Sequence, residues 1–173
     1  MVVVAEILKY TLPALIVFLT AYLLIRKFLE NDRKLKKMDL MYRNDQYILP
    51  IRMQAYERLV LFLERISPES LLMRVNRKGI TSKQLHSDLL ATIRAEFEHN
   101  LSQQIYVSRE SWEIIKNARS NLINIINTAA KSIEPDSPSL KLSQTILEAI
   151  IDNERSPTSV AIDYIKKEIK ELF

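Results

Sequence analysis

Two histidines, His86 and His99, are the first residues in this chain that could carry acid–base or metal chemistry. His99 follows Glu96 by three residues. That Glu-x-x-His spacing puts a carboxylate and an imidazole on one face of a helix, as di-iron carboxylate bundles require. Such a centre also needs a second Glu-x-x-His and two further inward glutamates. The residue three before His86 is Lys83, so the second half is missing. A metal-dependent enzyme using Glu96 and His99 is therefore the weakest of three functional readings. The single glycine, Gly79, excludes a Walker loop, a dinucleotide fingerprint and a Gly-x-Ser-x-Gly elbow, each of which needs several glycines. The chain has no cysteine, which removes disulfides, thiolate metal sites and cysteine nucleophiles. The carboxylates Glu64, Glu96 and Glu98 read most simply as partners of Arg65 or Arg94. No catalytic residue and no cofactor is expected, and the chain reads as a non-enzyme.

The densest polar stretch is RAEFEHNLSQQ, residues 94–104, followed at once by Ile105-Tyr106-Val107. Arg94, Glu96, Glu98, His99, Asn100, Gln103, Gln104 and Tyr106 form the candidate interaction surface. Either they meet a protein partner or tie helices in a buried polar network. The plainer alternative is the solvated face of a helix whose core stripe is Phe97 and Leu101.

The elements that must position these residues read as a series of capped helices. One glycine in 173 residues argues against a sheet, whose turns demand positive φ at several places. The expected fold class is all-α. A first domain helix over residues 48–66 carries Ile48, Ile51, Ala55, Leu59, Phe62 and Ile66 on one stripe. Ser67-Pro68-Glu69 starts a short helix to about Val75, with Gly79 expected at its C′ position. Thr81 and Gln84 form a capping box and Ile80 a staple to Leu85, starting a third helix to about Ile105 with Leu85, Leu89, Ile93, Phe97 and Leu101 inward. Ser108 caps a fourth, which buries Trp112, Ile115, Leu122, Ile126 and Ala129. Ser137-Pro138 and Ser156-Pro157 start the last two. Their inward residues are Leu142, Ile146, Ala149 and Ile150, then Ala161, Tyr164, Ile165, Ile169 and Leu172. The domain, residues 46–173, is thus a bundle of about six helices. Its 71–90 region can be drawn as helix-turn-helix, but Lys83 and Arg94 stand against Asp88 and Glu96, too little positive charge for a recognition helix. No nucleic-acid partner is expected.

Ahead of the domain lies a different composition. Residues 10–25 (YTLPALIVFLTAYLLI) carry no charge, and the run extends back to Val2 with only Glu6 and Lys9. Its 24 residues would form about 36 Å of helix, enough to span a bilayer. Residues 12–25 are apolar all round, which suits neither a one-sided buried helix nor an interfacial one. MVVVAE is not basic and no small-x-small site follows, so a cleaved signal peptide fits poorly. Residues 1–25 therefore read as one transmembrane anchor. The pI near 9.2 has its cause directly behind it: Arg26, Lys27, Arg33, Lys34, Lys36, Lys37 and Arg43 outnumber Glu30, Asp32, Asp39 and Asp45. By the positive-inside rule the N-terminus faces out and the C-terminal domain lies in the cytoplasm. The first six of those cations form the membrane flank. The basic stalk, residues 26–45, also spaces Phe28, Leu35, Tyr42 and Leu49 by seven, with Leu24 and Met38 between, so self-association through it is the second functional reading.

Several segments together resemble a bacterial family of uncharacterised proteins with one N-terminal membrane helix and a helical cytoplasmic domain. They are LKYTLPALIVFLTAYLL (8–24), LPIRMQAYERLVLFLERISPESLLMRV (49–75), IRAEFEHNLSQQIYVSRESWE (93–113) and SPTSVAIDYIKKEIKELF (156–173). The resemblance spans nearly the whole chain. It implies the inner-membrane, single-pass topology, assigns no activity, cofactor or site, and points to Tyr56-Glu57-Arg58, Glu64-Arg65 and residues 96–100 for mutation. The leading expectation is a membrane-anchored interaction module, an accessory or scaffold subunit. Its partners are the lipid bilayer and an unidentified protein or a second copy of itself.

Overall fold

A computed structural model describes the backbone of residues 2–152 and 155–172, and the side chains of residues 15–38, 47–152 and 155–171. Among the described residues every regular element is helical: α1 (Val2–Arg65), α2 (Pro68–Val75), α3 (Ser82–Asn100), α4 (Arg109–Lys131), α5 (Ser139–Ile151) and α6 (Pro157–Leu172). A 3-10 segment, Leu101–Ile105, joins α3 to α4. The chain divides into two compact units, Met1–Leu49 and Pro50–Phe173. The division falls four residues from the expected boundary, at a proline that cannot donate the helical hydrogen bond.

In the first unit, residues 15–25 present Leu15, Val17, Phe18, Leu24 and Ile25 to the surroundings, each more than half exposed. Among the described residues no helix is long and apolar enough to cross a membrane. The described side chains begin only eleven residues before Arg26; the remainder of the expected anchor, 1–14, lies outside them, as do Asp39, Tyr42, Arg43 and Asp45 of the stalk. Over its described side chains, 26–38, the stalk keeps its charges in solvent, with Arg26 bonded to Glu30 at 3.3 Å and Lys36 to Asp32 at 2.9 Å. Such i,i+4 pairs each contribute a few tenths of a kcal/mol, about 0.3–0.5.

In the second unit one core runs through all the helices. Tyr56, Leu59, Phe62 and Leu63 of α1 and Ile66 just after it join Leu71 of α2, Leu85, Leu89 and Ile93 of α3, Ile115, Leu122 and Ile126 of α4, Leu142 and Ile146 of α5, and Ala161 and Ile165 of α6 in one cluster. Helix α4 packs against α3, α5 and α6, which makes it the central strut. Local signals set most starts. Thr81 Oγ1 accepts the Gln84 amide at 3.3 Å while Gln84 Oε1 accepts the Thr81 amide at 3.0 Å, the reciprocal box. Ser108 Oγ accepts the Ser111 amide at 3.0 Å at the start of α4, and Ser156 Oγ accepts the Thr158 amide at 3.3 Å at the start of α6. An isolated antiparallel bridge, Thr81 to Pro138, fastens the starts of α3 and α5 together. Its bonds run from the Ser82 amide to the Ser137 carbonyl at 2.8 Å and from the Ser139 amide to the Ile80 carbonyl at 3.2 Å.

Several expectations are corrected. Anchor, stalk and first domain helix fall in one helical element, Val2–Arg65, which runs on through Pro50. Ile48 and Ile51 are 41% and 46% exposed, since the fully buried stripe of α1 begins only at Ala55. Helix α3 stops at Asn100 rather than near Ile105, and Leu101 is 43% exposed. The Asn100 side-chain amide turns back onto the Glu96 carbonyl at 2.8 Å. The tighter 3-10 winding that follows advances each residue by about 120° instead of 100°, which brings Gln103 inward in place of Leu101. Gly79 does not sit at C′ of α2. That helix ends with Asn76 already extended, and the glycine takes φ +90° three residues later, in the turn before α3. Ser67 and Ser137 precede their helices without capping them. Each hydroxyl instead donates backwards, to the Glu64 carbonyl at 2.8 Å and the Glu134 carbonyl at 2.7 Å. Ala149, Ile150, Tyr164 and Ile169 are half-buried, at the rim of the core, and the side chain of Leu172 lies outside the described residues.

Candidate protein interface

The stretch chosen on sequence grounds divides into two sets. Asn100 and Gln103 turn inward, at 8% and 7% exposure, while Arg94, Glu98, His99, Gln104 and Tyr106 face solvent. Glu96 stands between. Its Oε1 takes the Arg65 guanidinium at 2.9 Å and the Arg74 guanidinium at 3.3 Å, and Arg74 also donates to the Arg65 carbonyl at 3.1 Å. One carboxylate thereby joins the end of α1, α2 and α3, fulfilling the Arg65 pairing expected from sequence. Two guanidiniums on that oxygen oppose a bound cation, and His99 points to solvent, so Glu96 and His99 do not form a joint ligand pair here. Among the described residues no three His, Asp or Glu side chains gather where they could hold a metal ion.

Beside the exposed polar residues stand apolar ones. Ile105 is 72% exposed and Leu101 is 43% exposed, both on the 3-10 segment, with Tyr106 next in the chain at 37%. Charged, amide, aliphatic and phenolic groups thus share one edge, the mixture that protein interfaces use.

The end of that edge is tied to α1, next to a polar node that carries no local mark in the sequence. Arg52 of α1 donates from Nε to the Tyr106 carbonyl at 3.1 Å. One turn on, the fully buried Tyr56 donates its hydroxyl to Glu168 Oε1 of α6. Glu168 Oε2 accepts from Ser111 and, at 2.9 Å, from Ser108, the cap of α4. A single carboxylate therefore closes α1, α4 and α6 together and sits at the positive end of the α4 dipole. Burial raises its pKa, yet the hydrogen bonds from Ser111, Tyr56 and Ser108 prevail and hold it below the ordinary value near 4.5. Burial pushes the Tyr56 hydroxyl above its ordinary value of 10.0, and the bond to the anionic Glu168 pushes the same way. Tyr56 was singled out by the family resemblance and Ser108 by its capping position. Glu168, in the KKEIKEL run, carries no local mark.

A second cluster stacks behind the edge. Phe97 lies 5.9 Å from Phe62 and 5.5 Å from Trp112 between ring centroids, and the Arg119 guanidinium covers Phe97 at 3.9 Å. Arg119 Nε is buried without a hydrogen-bond partner, so the cation–π contact is what favours its place. His86, the other histidine, bonds Asn127 at 2.8 Å and lines a groove of about 400 Å³ between α3 and α4 with Lys83 and Lys131.

The stalk cations Arg26, Lys27, Arg33, Lys34, Lys36 and Lys37 are all exposed. No curated protein and no solved structure gives a significant match to this chain. A family model does, covering residues 2–172, and the chain accordingly belongs to DUF7935, a family of unknown function.

Proposed function

We propose that this chain is a membrane-anchored interaction module, an accessory or scaffold subunit rather than an enzyme. In this reading residues 1–25 span the inner (cytoplasmic) membrane once with the N-terminus outside. The flank cations meet the inner leaflet, and the helical domain offers its Arg94–Tyr106 edge to a protein partner on the cytoplasmic side. The observation that carries the edge is Ile105, left 72% exposed one residue before Tyr106, whose carbonyl accepts from Arg52 of α1. Leu101 and Tyr106 are exposed on the same short segment, so it offers a group of apolar side chains rather than one scattered residue. The anchor rests on the uncharged run of residues 10–25 and the cations that follow it.

Two measurements test the reading. Carbonate washing of membranes should leave the full chain in the pellet, and external protease on intact cells should spare the domain; release into the wash would refute the anchor. Affinity capture from gently solubilised membranes should recover one stoichiometric partner. Ile105→Asp with Leu101→Ser should lose it without changing the Trp112 fluorescence of the fold. Undiminished capture by that variant would refute the edge.

A further inference from the structure

The stalk carries charge information that the seven-residue spacing alone does not use. In a heptad register with Phe28, Leu35 and Tyr42 at a, the d positions are Leu24, Asn31 and Met38. The apolar members of this seam with described side chains are open: Leu24 69%, Phe28 73%, Leu35 53% and Met38 61% exposed. The positions flanking the seam are sorted by sign. Lys27 and Lys34 occupy g, while Asp32 and Asp39 occupy e. The outward positions are mostly basic, with Arg26, Arg33, Lys36 and Lys37.

We infer that the stalk pairs with a second copy of this chain as a short parallel coiled coil. In a parallel pair each g residue meets the e residue five positions on in the other helix. Here that places Lys27 against Asp32 of the other copy, whose carboxylate it shares with that helix's own Lys36 at 2.9 Å, and Lys34 against its Asp39, both attractive. An antiparallel pair sets g against g and e against e, Lys on Lys and Asp on Asp. The sign pattern thus selects the parallel arrangement and a partner with the same sequence. Asn31 meets its own copy across the seam, where two amides can bond each other; an odd register would strand them. Asp45 falls on the next d position and would face its own like charge, so the seam ends near Tyr42. Under three heptads is weak in water. Two anchored copies share a membrane plane, however, which supplies the effective concentration that a short seam lacks. In that respect the inference rests on the anchor proposed above.

The absence of cysteine makes the test direct, since each introduced thiol is the chain's one thiol. In membranes holding the full chain, Phe28→Cys, Leu35→Cys and Met38→Cys should each form same-residue disulfide dimers under mild oxidant. Leu29→Cys, Arg33→Cys and Lys37→Cys, on the outer face, should give about fivefold less. Reversing Lys27→Glu and Lys34→Glu in the Leu35→Cys background should cut the dimer roughly tenfold; adding Asp32→Lys and Asp39→Lys should restore it. That restoration separates pairing from damage to the helix. Equal cross-linking at all six positions, cross-linking at none, a cross-linked band containing a different protein, or no rescue by the fourfold reversal would each overturn the inference. Carbonate extraction of the same samples reports the anchor separately, so either can fail while the other stands.

Discussion

Replacing Glu168 by alanine removes the one acceptor shared by Tyr56, Ser108 and Ser111. Tyr56 and Ser111 are both fully buried, so neither hydroxyl can turn to water. Each stranded donor costs about 1–3 kcal/mol. Ser108 is half-buried and finds solvent, so it adds little. The expected loss is about 3–4 kcal/mol, a large share of the roughly 5–15 kcal/mol that holds a domain of this size. Glu168→Gln keeps a carbonyl acceptor and loses only the charge assistance, so about 1–2 kcal/mol is expected. Trp112, the chain's one tryptophan, is 8% exposed in the same helix as Ser108 and Ser111, and its emission reports the transition. In urea, with m near 2 kcal/mol/M, the alanine midpoint should fall by about 1.5–2 M and the glutamine midpoint by less than 1 M. The pH dependence adds a second check. Glu168 titrates lower in the folded chain than its ordinary 4.5, so its stabilisation is complete above that value and disappears as pH falls through the folded one. Glu168→Gln should therefore lose less stability than wild type on going from pH 5 to pH 3. Equal losses for alanine and glutamine would refute the claim that stranded hydroxyls dominate. A glutamine variant as acid-sensitive as wild type would refute the linkage.

Other outcomes follow from the same geometry. Glu96→Gln weakens the hold on Arg65 and Arg74, both partly in solvent, and should cost about 1 kcal/mol, shrinking in high salt, read by the same urea titration. Leu59→Ala, at 0% exposure, should cost about 2–5 kcal/mol, whereas Ile51→Ala, 46% exposed in the same helix, should stay within about 0.5 kcal/mol of wild type. Gly79→Ala has open space around the added carbon, so any loss is backbone strain at φ +90°, about 1 kcal/mol, with Gly79→Asn losing less. Arg119→Met keeps a stem over Phe97 and deletes the unpartnered Nε, so its stability from the urea titration should change by less than about 1 kcal/mol.

What could be read from the residues was local. The Thr81–Gln84 box, the Ser108 cap and the Pro68 and Pro157 starts are each written within four residues, and the helices begin there. The core stripes of α3 and α4 follow from helical spacing alone: Leu85, Leu89, Ile93, Trp112, Ile115, Leu122, Ile126 and Ala129 are all buried. Spacing fails where winding changes, which is why it places Leu101 inward and leaves Gln103 out. It fails again where a helix outruns its neighbours, as at Ile48 and Ile51. The edge stands out in composition, but what supports it is not local in sequence. Tyr56 and Glu168 are 112 residues apart, and neither carries any sign of the other. Glu168 looks like one more charge on an amphipathic helix until α6 is laid against α4.

The Tyr56–Glu168 bond also sets a schedule. A ribosome adding about 5–20 residues per second needs roughly 6–22 seconds to travel from one partner to the other. Throughout that interval the Tyr56 hydroxyl of α1 lacks its carboxylate partner, so this latch closes only once α6 has been made. A ribosome stalled anywhere before codon 168 would leave α1 unlatched, its Tyr56 hydroxyl waiting for an acceptor.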